Sequence, residues 1–138
     1  MSDQPVMQAK CLCQSVNIEL TPKSLEIGAC HCETCRQWSG SPYLAIESEK
    51  ADFSGDTIAT YESSEWAERG FCKQCGTHLF YKLKGADSYY VPVGLFAEIN
   101  SMAMTHQLFI DSKPTYYNFA EQTVCMTGAE VFASIAGE

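Results

Sequence analysis

Short alternating runs of apolar and polar residues dominate the chain. In Val16-Asn17-Ile18-Glu19-Leu20 the side chains of Val16, Ile18 and Leu20 fall on one face at a period of two, the spacing of a half-buried strand. Runs of similar length, rich in β-branched and aromatic residues, cover Tyr43–Glu47, Ile58–Tyr61, Leu79–Leu83, Tyr89–Val93, Leu108–Ile110 and Thr123–Thr127. A further candidate strand covers Leu25–Ala29. Turn-forming clusters separate these runs, at Thr21-Pro22, Ser39-Gly40-Ser41-Pro42, Ser54-Gly55-Asp56 and Lys84-Gly85-Ala86-Asp87. No window keeps a helical period for three turns. Helix is expected only over Glu33–Trp38 and Ala129–Ile135. The pattern predicts a mainly β domain with short helical turns, and it contains no internal repeat, linker or low-complexity tract.

The length of 138 residues suits one domain, expected over 1–138. Hydrophobic residues at 46% are enough for a packed core and exclude a disordered chain. Nine Lys and Arg against 17 Asp and Glu give a net charge of −8, which argues against a nucleic acid as partner, because phosphate binding needs a basic face. No apolar run approaches the roughly 20 residues of a membrane span. The segment MSDQPVMQAK lacks the charged and apolar regions of a secretory signal, so a cytoplasmic location is expected.

Cysteine changes the picture most. The chain holds 8, at positions 11, 13, 30, 32, 35, 72, 75 and 125. Without a secretion signal such a count favours metal binding or catalysis over disulfides. Seven of the eight fall into Cys11-x-Cys13, Cys30-His31-Cys32-x-x-Cys35 and Cys72-x-x-Cys75. Two sulfurs on one tight turn can reach a single zinc ion at about 2.3 Å, and a second pair from a distant segment completes a tetrahedron. Gly76, directly after the last pair, lets the chain turn back toward the thiolates. Two partitions are open. Eight thiolates can fill two closed sites. Alternatively, Cys11, Cys13, Cys72 and Cys75 close one structural site, leaving Cys30, Cys32 and Cys35 as a three-thiolate site with a free fourth position. Cys125 decides between them: it lies in an apolar stretch, where a free cysteine is expected as a small buried hydrophobe. The second partition is favoured, since catalytic zinc keeps one position free. The four-thiolate site would clip the starts of two strands and supply folding free energy on the order of 10 kcal/mol. A three-thiolate zinc could take a soft fourth ligand, which points to small thiol substrates.

The motifs also carry a family resemblance. Cys11-Leu12-Cys13, Cys30-His31-Cys32-Glu33-Thr34-Cys35-Arg36 and Arg69-Gly70-Phe71-Cys72-Lys73-Gln74-Cys75-Gly76-Thr77-His78-Leu79 resemble those of the glutathione-dependent formaldehyde-activating enzyme family, which includes the centromere protein V relatives. His106 and Lys113-Pro114 match the ends of a further family signature, while Leu108 departs from it. The likeness covers about residues 9–118, with 119–138 as a C-terminal extension of the same domain. It implies an antiparallel, zinc-stabilised sheet of the β-tent type. It implies a structural zinc on Cys11, Cys13, Cys72 and Cys75, and a second zinc on Cys30, Cys32 and Cys35, the catalytic group. It also implies carbon–sulfur lyase chemistry on a glutathione adduct, by family default the formation of S-hydroxymethylglutathione from glutathione and formaldehyde.

Other residues are read more plainly. Arg36 and Arg69, with Lys113, are candidate clamps for the carboxylates of glutathione, although both arginines could instead pair with Glu33 and Glu68. His31 is expected beside the ligands or facing solvent, His78 as structural, and His106 either near the pocket or in the core. Trp38, Tyr43, Phe71, Tyr116 and Tyr117 read as core or pocket wall, and Glu62 to Glu68 as a solvated face. The competing functions are a non-enzymatic zinc module, either a thiol carrier or a protein-interaction domain on the β-tent fold, and a redox sensor.

Overall fold

The computed structural model describes residues 6–96 and 102–136. Strand accounts for 48% and helix for 16%, so the mainly β expectation is observed. In chain order the elements are β1 (Met7–Lys10), β2 (Asn17–Cys30), α1 (Glu33–Ser39), β3 (Tyr43–Ser54), β4 (Ile58–Glu62), β5 (Ala67–Cys72), β6 (His78–Leu83), β7 (Tyr89–Pro92), β8 (Ala103–Leu108), β9 (Val124–Met126) and α2 (Gly128–Ala136). They divide into two compact units, residues 6–25 with 45–96 and residues 26–44 with 102–136.

In the first unit the strands run in the order β4-β5-β6-β7-β3-β2, with β1 antiparallel to the start of β2. The alternation in Val16, Ile18 and Leu20 is realised as burial, joined in the core by Ile46, Leu79, Phe80 and Val91. Phe53, Phe80 and Tyr89 from β3, β6 and β7 pack ring to ring at 4.9–5.1 Å. Strand β5 was hidden in the sequence by its polar residues. Arg69 is only 2% exposed and lies 4.8 Å over the Tyr81 ring, so a charged residue there occupies an interior position.

In the second unit the end of β2 pairs with β8 and β8 pairs with β9, both in parallel. This corrects the purely antiparallel expectation for these strands. The two predicted strands at Val16–Leu20 and Leu25–Ala29 are one long strand. Pro22, read as a turn, falls between the last β1 partner, Leu20, and the first β8 partner, Glu26, where its missing N–H interrupts neither ladder. Strand β8 ends at Leu108, where the expected Leu108–Ile110 run begins, because Phe109 at φ 57° stops it. Helix α2 opens on a capping box in which Thr127 Oγ1 accepts from Glu130 N–H and Glu130 Oε1 accepts from Thr127 N–H.

Candidate metal centres and their surroundings

Two groups of thiols are assembled. Cys11 and Cys13 occupy the turn between β1 and β2, while Cys72 ends β5 and Cys75 lies in the turn to β6. All four sulfurs lie within 4.8 Å of one another. Cys13 Sγ is 3.6 Å from Cys11 Sγ and 3.7 Å from Cys72 Sγ. A tetrahedron with metal–sulfur bonds of about 2.3 Å has edges of about 3.8 Å, so the donor set fits one thiophilic ion.

Local backbone geometry builds this group. Cys11 N–H donates to Val16 O at 3.1 Å and Gln14 N–H to Cys11 O at 2.9 Å, closing the first turn. In the second, Gly76 N–H donates to Cys72 O at 2.7 Å, and Gly76 stands at φ 80°, a conformation that favours glycine. Hydroxyls surround the sulfurs. Ser15 Oγ lies 3.0 Å from Cys13 Sγ and 3.4 Å from Cys72 Sγ, and Thr57 Oγ1 lies 3.4 Å from Cys72 Sγ. Thr77 Oγ1 accepts from Leu12 N–H, which leaves its own hydrogen for Cys75 Sγ at 3.1 Å. The Ser15 and Thr57 hydroxyls lower the Cys72 thiol to about 5, and the Thr77 hydroxyl with backbone N–H groups lowers Cys75 to about 7. Both are therefore prepared as thiolates, the form that binds metal.

The second group comprises Cys30, Cys32 and Cys35, whose sulfurs also lie within 4.8 Å of one another. Cys30 ends β2. Cys32 caps α1, its Sγ accepting from Cys35 N–H at 3.3 Å, so the first helical turn brings positions i and i+3 together. Hydrogen bonding to Cys32 and Cys35, with burial, pushes the Cys30 thiol above its ordinary range. Among the described residues no fourth His, Cys, Asp or Glu joins this group at the same distance. Three soft donors fit a thiophilic ion with one position left for another ligand.

The profile of the glutathione-dependent formaldehyde-activating enzymes matches residues 6–112, a span that contains both thiol groups. The chain belongs to that family. A relative within reach of it, an uncharacterized lyase of Schizosaccharomyces pombe, is 37% identical over 134 residues, covering 95% of this chain and 98% of that protein. A Podospora anserina protein, provisionally named for glutathione-dependent formaldehyde activation, is 32% identical over 88 residues, covering 59% of this chain and 41% of its own length. A solved protein from Rhodobacter sphaeroides shares the fold, with a TM-score of 0.58 at 18% identity over 88% of this chain and all of that one.

In this family member His31 is fully buried. Its Nε2 lies 2.7 Å from Gln107 Oε1 and its Nδ1 lies 2.7 Å from Tyr117 Oη. Gln107 Nε2 donates to Thr123 Oγ1 at 2.9 Å, which fixes the amide oxygen toward His31 and the ring proton on Nε2. Burial lowers the His31 pKa, keeping the ring neutral, and the nearby charges of Lys113 and Arg36 act in the same direction. The imidazole therefore braces the backbone between Cys30 and Cys32 from the side opposite the thiols. Arg36 is half-buried and its Nε donates to His31 O at 3.0 Å. Lys113 Nζ donates to Pro114 O at 2.9 Å and to Tyr117 O. Arg36 and Lys113 thus lie close enough to His31 for their charges to act on it, whereas Arg69 belongs to the interior of the first unit.

Two expectations are corrected. Cys125 is exposed, not buried, because β9 is a three-residue strand at the end of its ladder with Val124 exposed beside it. Tyr116 is 78% exposed, while its neighbour Tyr117 turns inward to stack on His31. Ser15, Thr57, Thr77, Gln107 and Thr123 were not singled out from the sequence. Ser15 and Thr77 each stand two residues after a cysteine of the four-thiol group, a repeated spacing that could have revealed them. Thr57 and Thr123 carry no such signal.

Proposed function

We propose that the protein is a zinc-dependent carbon–sulfur lyase-type enzyme that acts on glutathione adducts, its reaction being the addition of the glutathione thiol to formaldehyde to give S-hydroxymethylglutathione, and the reverse. The observation that carries this reading is the three-thiol group of Cys30, Cys32 and Cys35, with a fourth position available, inside a chain of this family. When bound there, zinc supplies a soft Lewis acid that favours the ionised form of a thiol. Zinc on Cys11, Cys13, Cys72 and Cys75 has a structural role in this reading.

The chain's own residues prepare the site in three ways. The α1 cap holds Cys32 and Cys35 in a fixed fork, and His31 holds the Cys30–Cys32 backbone against Gln107 and Tyr117. Arg36 and Lys113 supply positive charge near His31, the residue between Cys30 and Cys32, in a chain whose net charge is −8. An anionic tripeptide is opposed by the field of the whole molecule, so these two cations provide the local counter-charge for its carboxylates. Arg69, buried against Tyr81, supports the fold in this reading and does not contact glutathione.

The test is the rate of hydroxymethylglutathione formation against the spontaneous rate, with calorimetric titration of glutathione in parallel. Acceleration that is lost in Cys32→Ser, together with one of two bound zinc ions, is the expected result. Binding without acceleration would identify a thiol carrier. Absence of both would leave a protein-interaction module.

A further inference from the structure

Gly28 and His106 face each other across the parallel pairing of β2 and β8. A Cβ on Gly28 would fall 2.4 Å from His106 Nε2 and 2.9 and 3.0 Å from the adjoining ring carbons. A Cβ standing on the lone-pair axis of Nε2 would be much farther from both carbons than from the nitrogen. The carbons are only 0.5 and 0.6 Å farther than the nitrogen, so the ring meets Gly28 largely with its face, its Nε2 side nearest, and the lone pair is not aimed at that Cβ position. Only glycine permits this approach.

The face matters. Gly28 and Cys30 are two residues apart on one strand and project to the same side, separated by about 7 Å, while Ala29 and Gln107 project to the other. His106 therefore shares the face of the three-thiol group, and His31 with Gln107 lies behind it. His106 is partly exposed, and it is not among the residues whose ligand atoms gather within 4.8 Å at the thiols. Its imidazole therefore lies outside coordination distance of the thiols, on the face from which Cys30 projects.

The other ring nitrogen is held. Thr105 Oγ1 donates to Glu26 Oε1 at 3.1 Å, so it accepts from His106 Nδ1–H at 2.9 Å. That chain fixes the tautomer with the proton on Nδ1 and the lone pair on Nε2. A β-bulge makes it possible. The register steps from Ile27–Met104 to Gly28–His106, leaving Thr105 as the extra residue whose hydroxyl is turned toward both partners. Carboxylate, hydroxyl and imidazole in line, on a half-buried histidine that shares the face of Cys30, form the arrangement of an oriented general base.

We propose that His106 is a catalytic acid–base residue for the thiol–aldehyde addition, oriented by Thr105 and Glu26 and given its place by the missing side chain of Gly28. This rests on the proposed function and adds the proton path to it. As the sulfur attacks the aldehyde carbon, the thiol proton passes to Nε2 and the C–S bond forms. The carbonyl π pair moves to oxygen, and Nε2–H returns the proton there to give the hydroxymethyl thioether. No proton is gained or lost overall. The reverse reaction uses the same nitrogen in the opposite order.

The test compares His106→Ala and Thr105→Val with the zinc-loaded wild-type protein. His106→Ala is expected to lose about 100-fold or more in kcat. Its zinc content should stay at two ions and its glutathione dissociation constant within twofold. Added imidazole should restore part of the rate, which a purely structural role would not allow. Thr105→Val, which keeps the base and loses its orientation, should lose about tenfold with zinc unchanged. Should His106→Ala fail to fold, His106→Gln takes its place in the same measurements. Wild-type kcat in either His106 variant overturns the proposal, as does loss of the second zinc from both. A wild-type protein that binds glutathione without accelerating the reaction overturns the proposed function and this proposal together, whereas a fast wild type with an equally fast His106→Ala overturns this one alone.

Discussion

At the scale of single residues, the two thiol groups differ in what their neighbours do to a proton. Cys72 and Cys75 are lowered to about 5 and about 7, chiefly by hydroxyls, while Cys13 in the same group is raised; the two lowered thiolates, and the stability these contribute, persist until pH falls through that range. Cys30 is shifted the other way by its fellow thiols and by burial, so protons compete for it already near neutrality. Acidification from pH 8 to 5 should therefore release metal from the three-thiol group before the four-thiol group. Cobalt substitution makes both observable through sulfur-to-metal absorption, and the reverse order would contradict this account. His31 offers a second case. Gln107→Leu leaves its Nε2–H buried without an acceptor, at a cost of roughly 2 kcal/mol read as a lower urea midpoint. Metal affinity should fall tenfold or more at the three-thiol group and stay constant at the other.

At the scale of elements, turns do the assembling. The Cys72–Gly76 turn carries two ligands and closes through Gly76 at φ 80°. No atom lies within 4 Å of a Cβ placed there, so substitution meets backbone strain and no clash. Gly76→Ala should cost about 1 kcal/mol in the metal-loaded protein, and Gly76→Asn less, since asparagine tolerates this conformation. Equal midpoints for all three proteins in denaturant titration would show that the turn is held by the metal alone. Helix α1 works differently, because its cap is itself a ligand: the Cys32 sulfur that accepts from Cys35 N–H also belongs to the thiol group.

At the scale of the whole molecule, the four-thiol group joins the β1–β2 turn to the β5–β6 turn across a long sequence separation. Removing metal with a strong chelator should lower the melting temperature sharply, since binding at such sites contributes on the order of 10 kcal/mol to folding. Cys125→Ala should leave both metal content and melting temperature unchanged, because this exposed sulfur belongs to neither group. A drop from two ions to one per chain in that variant would reinstate two closed sites and remove the basis for catalysis. Among the described residues no helix is long and apolar enough to cross a membrane.

The sequence by itself determined the β-dominated architecture and the family, because these follow from period-two alternation and motif spacing; the sorting of seven cysteines into a four and a three it only favoured, partly on a burial of Cys125 that the structure does not show. The sequence also located α1 and α2 to within a residue at each end. It could not reveal β5, where burial of Arg69 is decided by the Tyr81 ring twelve residues away. Nor could it tell that Cys125 faces solvent, since a three-residue strand at the end of its ladder has too few partners to cover an apolar stretch. The hydroxyls of Thr57 and Thr123, the burial of His31 behind the ligands, and the fit of the His106 ring over Gly28 were decided only by tertiary structure. Each depends on strand register between distant segments, and a single bulge at Thr105 sets where the imidazole goes.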